Sequence, residues 1–205
     1  MNMKLKPTFS NNWASKLRRT LQKDLLPLRD MPMKYLEIGV YEGHSMYVML
    51  KTFLLHPDSM AYGIDPWEIA PMNAKRFPRN EIGEAKIKSI EDRARANLEP
   101  FGSKAVLIKA RSSEYLSTKP FPNESLDVIY IDGVHEHEAC LNDSHIAWDL
   151  LKYGGFMVWD DVMARTTKGQ IKRVVEEIIK EKGAECIVLK MANQALIKKV
   201  KIQVI

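Results

Sequence analysis

The chain has 205 residues, of which 45% are hydrophobic and 28% are charged, which suffices for one substantial core but not for two full-sized domains. The net charge of +5 comes from lysines and arginines that are interleaved with acids, a pattern typical of a solvated surface, so a nucleic-acid partner is not expected. No apolar run approaches the roughly 18 residues that a membrane span requires, and we expect a cytoplasmic protein without membrane contact.

Residues 1–30 predict a helical extension to a single domain that comprises residues 1–205. One helix is indicated by four apolar residues at helical spacing: Trp13, Leu17, Leu21 and Leu25. We expect this helix to pack on the sheet or over the functional site. Residues 34–200 are predicted to form the α/β core.

Five short apolar runs, rich in β-branched and aromatic residues, predict strands that are buried on both faces: residues 35–38, 60–64, 105–108, 126–131 and 156–159. Segments of helical period separate them. This alternation predicts a Rossmann-like three-layer α/β sandwich with a mostly parallel sheet. Residues 185–189 and 194–199 predict a C-terminal antiparallel hairpin, and the Pro- and charge-rich residues 65–80 predict a mobile loop.

The first predicted strand runs into a glycine-flanked loop, E-I-G-V-Y-E-G-H-S, at residues 37–45. Gly39 and Gly43 let the backbone turn tightly against a ligand, and the next helix begins with free N–H groups. The loop lacks the dinucleotide fingerprint G-x-G-x-x-G, whereas Glu37 offers a hydrogen-bond acceptor for a positively charged amino group. A glycine turn that only closes the strand–helix junction is the alternative.

Three further residues follow the second and third strands. Asp65 stands where a carboxylate accepts bonds from both ribose hydroxyls of a nucleotide, or where it caps a helix. Trp67 is expected either to stack on an aromatic ring or to cover the core. Ser112 stands at the height of an adenine, with capping of the following helix as the alternative.

Three acids follow the fourth and fifth strands: Asp132, Asp160 and Asp161. Because neighbouring strands end at one edge, we expect these carboxylates to converge and to require a hard divalent cation such as Mg²⁺. Helix caps and surface acids are the alternative. His135 is a candidate base for a hydroxyl proton, although a loop or capping role is an alternative for it and suits His137 better.

The motif at residues 37–45 resembles motif I of class I S-adenosylmethionine-dependent methyltransferases, and its E-x-G-x-Y-x-G-x-S form is similar to that of catechol O-methyltransferase. The segments D-V-I-Y-I-D-G-V-H-E-H-E and W-D-L-L-K-Y-G-G-F-M-V-W-D-D-V resemble the same group and related small methyltransferases of sugars and natural products. The matches span residues 35–162. This resemblance implies S-adenosylmethionine as the cofactor, a divalent metal ion, and a small hydroxylated acceptor.

Applied to the matching positions, the resemblance implies that residues 37–45 contact the methionine portion of the cofactor. It also implies that Asp65 contacts the ribose and that Ser112 lies near the adenine. The predicted cofactor-binding residues are Glu37, Gly39, Gly43, Ser45, Asp65, Trp67, Ser112 and Asp132. The predicted metal ligands are Asp132, Asp160 and Asp161. The predicted catalytic residues are Asp132 and His135. In the catechol enzyme the last metal position is Asn and the catalytic base is Lys, whereas here they are Asp161 and His135. The metal's affinity and the identity of the base therefore stay open.

We expect metal-assisted O-methylation of a hydroxylated small molecule such as a sugar, a phenol or a natural product. One alternative is a metal-independent methyltransferase acting on another acceptor, including nucleic acid, although the Asn/Asp-Pro-Pro-aromatic motif for base amino groups is absent. A second alternative is a non-catalytic nucleotide-binding module on the same sheet. The acceptor and the oligomeric state, including a homodimer, are left open.

Overall fold

The computed structural model describes residues 6–69 and 77–202, so residues 70–76 of the predicted mobile loop lie outside the described residues. Its strands are β1 (Lys34–Ile38), β2 (Met60–Asp65), β3 (Ala105–Lys109), β4 (Leu126–Ile131), β5 (Leu151–Trp159), β6 (Cys186–Met191) and β7 (Ala195–Lys199). They form one seven-stranded sheet in the order β3-β2-β1-β4-β5-β7-β6. Strands β1 to β5 run parallel, and β7 pairs antiparallel with both β5 and β6. The predicted mostly parallel sheet with a terminal hairpin is confirmed.

Helices cover both faces of this sheet. They are α1 (Ser15–Leu25), α2 (His44–Thr52), α3 (Glu81–Leu98), α4 (Ser112–Ser117), α5 (His137–Leu150) and α6 (Gln170–Lys182). Helices α1 and α2 bury apolar residues such as Leu21 and Met49 against one face. Helices α5 and α6 bury Trp148 and Val174 against the other. The result is the predicted Rossmann-like three-layer sandwich. Among the helices of the described residues, none is long and apolar enough to cross a membrane.

Two details differ from the sequence prediction. Trp13 lies before α1 and is 54% exposed, so the apolar side of that helix consists of the three leucines that follow. Strand β5 begins at Leu151, ahead of the apolar run that predicted it, because Leu151 already pairs with Leu126. A register irregularity follows, and Gly154 with φ +87° interrupts the regular pattern inside the strand. The apolar run therefore predicted only the regular second half of β5.

The register of the parallel strands brings four strand ends to one edge of the sheet. Ile38 is aligned with Ile64 and with Ile131, and Ile131 is aligned with Trp159. The residues that follow these positions therefore lie side by side: Gly39, Asp65, Asp132 and Asp160. In open α/β sheets this edge is where ligands bind.

Candidate functional site

The loop between β1 and α2 turns at Gly39 and passes against the loop that follows β4. Gly39 has φ +91°, and a Cβ there would lie 2.2 Å from the carbonyl oxygen of Asp132. Gly43, which precedes α2, also has a positive φ of 75°. Both positions suit glycine because it has no Cβ to clash or to strain the backbone.

Glu37 is fully buried beneath this loop at the end of β1. The Ser45 hydroxyl donates a hydrogen bond to Oε1 of Glu37, and the Tyr35 hydroxyl donates to Oε2 at 2.5 Å. Burial nevertheless raises the pKa of Glu37 to about 8, because the two hydroxyl donors replace only part of the lost hydration. A positive charge brought near this carboxyl group would therefore favour its ionised form.

Asp65 holds the glycine loop in place through backbone hydrogen bonds. Its Oδ2 accepts the N–H groups of Val40 and Tyr41, each at 2.9 Å. Its Oδ1 accepts the N–H of Trp67 at 2.7 Å. Since a carboxylate has about four acceptor positions, about one remains for a ligand hydroxyl.

Trp67 covers a small apolar cluster beside this loop. Its side chain is 5% exposed and packs with Val40, Phe77 and Ile90. The indole N–H donates to the carbonyl oxygen of Tyr41 at 2.9 Å. Of the two roles that the sequence left open for Trp67, this packing favours the covering role.

Ser112 opens α4 but does not cap it. Its Oγ donates to Oδ2 of Asp143 on α5 at 3.0 Å, and the helix has no side-chain cap hydrogen bond. The capping alternative for Ser112 is therefore wrong. Burial raises the pKa of Asp143 to about 6. The sequence did not single out Asp143, because its partner lies 31 positions away in the chain.

The loops after β4 and β5 bring two acids and a histidine together. Asp132, His135 and Asp161 each offer a ligand atom, and these atoms lie within 4.8 Å of one another. Nε2 of His135 lies 3.7 Å from Oδ1 of Asp132 and 3.9 Å from Oδ2 of Asp161. Both distances are too long for hydrogen bonds.

The charges in this cluster fit a divalent cation. Nε2 of His135 is buried without a hydrogen-bond partner among the described residues, which is unusual for a polar atom. The carboxylate of Asp132 raises the pKa of His135, and burial raises the pKa of Asp132 to about 6. A hard cation held by carboxylate oxygens of Asp132 and Asp161 would reduce the repulsion between these acids and would leave the lone pair of His135 Nε2 available to a proton.

Asp160, the third acid for which the sequence predicted convergence, is not among the three residues whose ligand atoms lie within 4.8 Å of one another. Its Oδ2 accepts hydrogen bonds from the Tyr130 hydroxyl at 2.5 Å and from Nε2 of Gln194 at 3.2 Å. Its Oδ1 accepts the N–H of Asp161 at 2.7 Å. The side chain is 8% exposed, and the Tyr130 hydroxyl that bonds it also lies 3.3 Å from Oδ2 of Asp132. Asp161, held by that backbone bond, adopts a left-handed φ of 53°.

His137 lies outside the acidic cluster. It is the first residue of α5, and its Nε2 contacts Oε1 of Glu177 on α6 at 3.0 Å. His137 does not cap α5, which has no side-chain cap hydrogen bond, and its imidazole contacts α6 instead. Of the two candidate histidines, His135 is the one that the fold brings to the acids.

The segment before α1 lies against the glycine loop. The ring of Phe9 stacks on His44 with 4.0 Å between centroids. The N–H of Ser10 donates to Oε2 of Glu42 at 2.7 Å, and Arg93 pairs with Oε1 of Glu42 at 2.6 Å. This segment therefore lies beside the candidate site, whereas α1 itself packs on the sheet, one of the two positions expected for it.

Sequence reasoning missed two tyrosines that support the site. Tyr35 and Tyr130 each stand two positions before an acid, Glu37 and Asp132 respectively, so each pair projects from the same face of its strand. That spacing is the signal that identifies them. Gln194 carries no such signal, since it lies 34 positions from Asp160.

Comparison with known proteins identifies related families and folds. A family model described as a methyltransferase domain matches residues 36–162, well over half of the chain. Among curated proteins, the chain is 26% identical over 168 residues to the uncharacterized protein R132 of Acanthamoeba polyphaga mimivirus, a match that covers 80% of this chain. The matched segment spans 63% of the length of that relative.

Two solved structures share the fold at low sequence identity. The O-methyltransferase TomG of Streptomyces achromogenes, solved in complex with SAM, is 16% identical, with a TM-score of 0.64 and coverage of 95% of this chain and 82% of that chain. An O-methyltransferase of Bacillus cereus in complex with SAH is 15% identical, with a TM-score of 0.64 and coverage of 96% and 84%. At this identity the similarity establishes the fold.

Proposed function

Because this chain belongs to the methyltransferase-domain family and has the class I methyltransferase fold, we propose that it transfers a methyl group from S-adenosylmethionine to a hydroxyl oxygen of a small molecule. The observation that carries this proposal is the cluster of Asp132, His135 and Asp161, beside the glycine loop. The two solved relatives, both named O-methyltransferases, support oxygen as the acceptor atom. In this proposal residues 34–200 are the catalytic core and residues 1–30 an N-terminal extension, whose Phe9 and Ser10 lie against the glycine loop.

For the cofactor, we assign the methionine portion to the glycine loop and the nucleoside to the ends of β2 and β3. The residues concerned are Glu37, Gly39, Gly43 and Ser45 for the first, and Asp65 and Ser112 for the second. Asp132 lies on the other side of the glycine loop, after β4, and Trp67 covers the apolar cluster beside that loop. The buried Glu37 carboxyl, bonded to Ser45, would ionise when a cationic ligand binds at the loop and would then provide the opposite charge. When bound, S-adenosylmethionine supplies a methyl group on a positively charged sulfur, which leaves as a neutral thioether.

For the acceptor, Asp132 and Asp161 would be the oxygen ligands of a divalent cation such as Mg²⁺. When bound, the cation lowers the pKa of a coordinated hydroxyl group. Nε2 of His135, which has no hydrogen-bond partner in the described part of the chain, takes the hydroxyl proton as the oxygen bonds to the methyl carbon. The two carboxylates then stabilise the protonated His135. Asp160 supports the turn instead of contributing to this set.

Two measurements test the function. Isothermal titration with S-adenosylmethionine should show binding to the purified chain. A screen of hydroxylated sugars and phenols with methyl-labelled cofactor should then show label transfer that EDTA abolishes and added Mg²⁺ restores. Transfer that persists at full rate in EDTA would support the metal-independent alternative, with His135 and Asp132 acting without a metal. Absence of cofactor binding would end the methyltransferase assignment for this chain.

A further inference from the structure

A chain of hydrogen bonds runs from the edge of the sheet to the candidate site. Nζ of Lys190 on β6 donates to Oγ1 of Thr20 on α1 at 2.7 Å. The Thr20 hydroxyl donates to Oε1 of Gln194 at 2.6 Å, and Nε2 of Gln194 donates to Oδ2 of Asp160 at 3.2 Å. Every donor in this chain points towards Asp160, so the chain begins at an ammonium group and ends at a carboxylate.

The chain supplies what a buried carboxylate needs. Thr20, Gln194 and Asp160 are 6%, 2% and 8% exposed, and an ionised acid at such depth requires donors or an opposite charge. Within residues 6–69 and 77–202, no lysine or arginine forms a direct ion pair with Asp160. Lys190 is instead connected to Asp160 through the neutral side chains of Thr20 and Gln194. Successive hydrogen bonds that point in one direction polarise one another.

The Asp160 carboxylate also bonds the backbone of the turn that leads into the candidate site. Its second oxygen accepts the N–H of Asp161 at 2.7 Å, and the N–H of Val162 donates to the carbonyl oxygen of Asn193 at 2.9 Å. The β6–β7 turn therefore holds this segment at two points. Asp161 has φ +53°, a conformation that persists when surrounding contacts hold it.

We propose that Gln194 and Thr20 are positioning residues of the candidate site. They connect Lys190 to Asp160 and hold the Asp160 carboxylate in its buried position. The bond from that carboxylate then holds the Asp161 backbone so that its side chain faces His135 and Asp132. Neither positioning residue contacts a reacting group. The consequence for catalysis rests on the proposed function, whereas the positioning itself is a property of the folded chain.

Substitution of Thr20 tests the positioning directly. Thr20→Val removes the hydroxyl group at nearly constant volume, and Thr20→Ser is the matched control that retains it. Amide hydrogen exchange measured by NMR at Asp161 and Val162 is the readout, with the central-strand amide of Ile129 as the reference for global stability. Thr20→Val should accelerate exchange at the first two amides about fivefold relative to Ile129, and Thr20→Ser should restore the wild-type rate.

Two further variants keep the test decisive if Thr20→Val does not fold. Gln194→Met should accelerate hydrogen exchange at the amides of Asp161 and Val162, and Lys190→Met, at the sheet edge, should accelerate it less. Lys190→Arg is the control that keeps the charge. If all folded variants accelerate Asp161 and Val162 no more than the reference amide, the hydrogen-bond chain does not position the turn and the proposal is overturned.

Kinetics connects the positioning to the reaction. With any acceptor that the wild-type chain methylates, Thr20→Val should lower kcat about tenfold and leave KM for S-adenosylmethionine unchanged, because a displaced Asp161 affects the acceptor side. Thr20→Ser should recover kcat, whereas equal kcat in Thr20→Val and wild type would overturn the catalytic part of the proposal. If the wild-type chain methylates no acceptor, the proposed function fails, and the amide comparison still decides the positioning.

Discussion

Gly39 and Asp132 are in direct backbone contact, since a Cβ at Gly39 would lie 2.2 Å from the carbonyl oxygen of Asp132. Gly39 belongs to the loop that covers Glu37, and Asp132 begins the loop that carries His135. The contact therefore couples the proposed cofactor and acceptor sides of the site. Neither loop can move far without displacing the other.

Gly39→Ala should destabilise the fold through both this clash and the positive φ. We expect a loss of about 3–5 kcal/mol in the free energy of unfolding, measured by urea denaturation. Gly154→Ala is the control, because Gly154 has a similar φ of +87° but a Cβ there would meet no atom of the described residues within 4 Å. It should lose only about 1–2 kcal/mol. Equal losses in the two variants would mean that the contact with Asp132 carries no cost.

Glu37→Gln should change the pH dependence of stability. Burial raises the pKa of Glu37 from 4.5 to about 8, so between these pH values the folded chain holds a proton that the unfolded chain releases. The wild-type stability from this group is complete below about pH 4.5 and falls as the pH rises to about 8. The variant's stability relative to wild type should therefore increase across this window, by up to about 4 kcal/mol.

Urea denaturation of the cofactor-free protein at about pH 5, about pH 6.5 and about pH 8, which together cover the interval between the unfolded and folded pKa values, measures this difference. The variant Glu84→Gln, at an exposed position on α3, is the control and should keep a constant difference from wild type. A constant difference for Glu37→Gln as well would contradict the assignment of a buried, protonated carboxyl group.

Asp161→Asn should weaken binding of a divalent ion. The substitution removes one of the two carboxylates that face His135, and we expect the affinity for Mn²⁺, used as a spectroscopic probe, to fall at least about tenfold. Electron paramagnetic resonance measures free Mn²⁺ directly. Asp92→Asn, which alters an exposed acid paired with Lys88, should leave the affinity unchanged. Equal affinities in the two variants would exclude Asp161 as a ligand.

His135→Ala should lose methyl transfer while keeping the cofactor. Removal of a general base lowers the rate by about 10²–10⁴-fold, and the glycine loop that we assign to cofactor binding is unaltered. His137→Ala is the matched control, because its imidazole pairs with Glu177. Rate constants from labelled S-adenosylmethionine and titration of the cofactor separate the two effects. If His135→Ala transferred the methyl group at nearly the wild-type rate, the base would be another group.

Arg93→Met should destabilise the fold because it leaves a buried acid without its counter-charge. Glu42 is 2% exposed and pairs with Arg93 at 2.6 Å. We expect a loss of about 2–3 kcal/mol in unfolding free energy, reduced by the N–H of Ser10 that still donates to Glu42. The double variant Arg93→Met/Glu42→Gln should recover part of the loss. No recovery would show that the effect arises from packing.

From the residues alone, the order of strands and helices along the chain and the edge of the sheet at which the site forms could be predicted. Periods of two and of 3.6 residues are local properties, so they identify elements without knowledge of the fold. Parallel strands then place their following residues at one edge, which is why Gly39, Asp65 and Asp132 were found. The irregular start of β5 escaped the prediction because it has no local period.

Which side chains meet at that edge depends on contacts that form only in the folded chain. Asp160 and Asp161 are equivalent acids in the sequence, yet Asp160 accepts hydrogen bonds from Tyr130 and Gln194, 30 and 34 positions away, whereas Asp161 lies beside His135. Hydrogen bonds depend on separations of a few tenths of an ångström between groups that are distant in the chain. A pattern of residue types contains no information on such separations, and so the partners of each acid emerge only when the chain is folded.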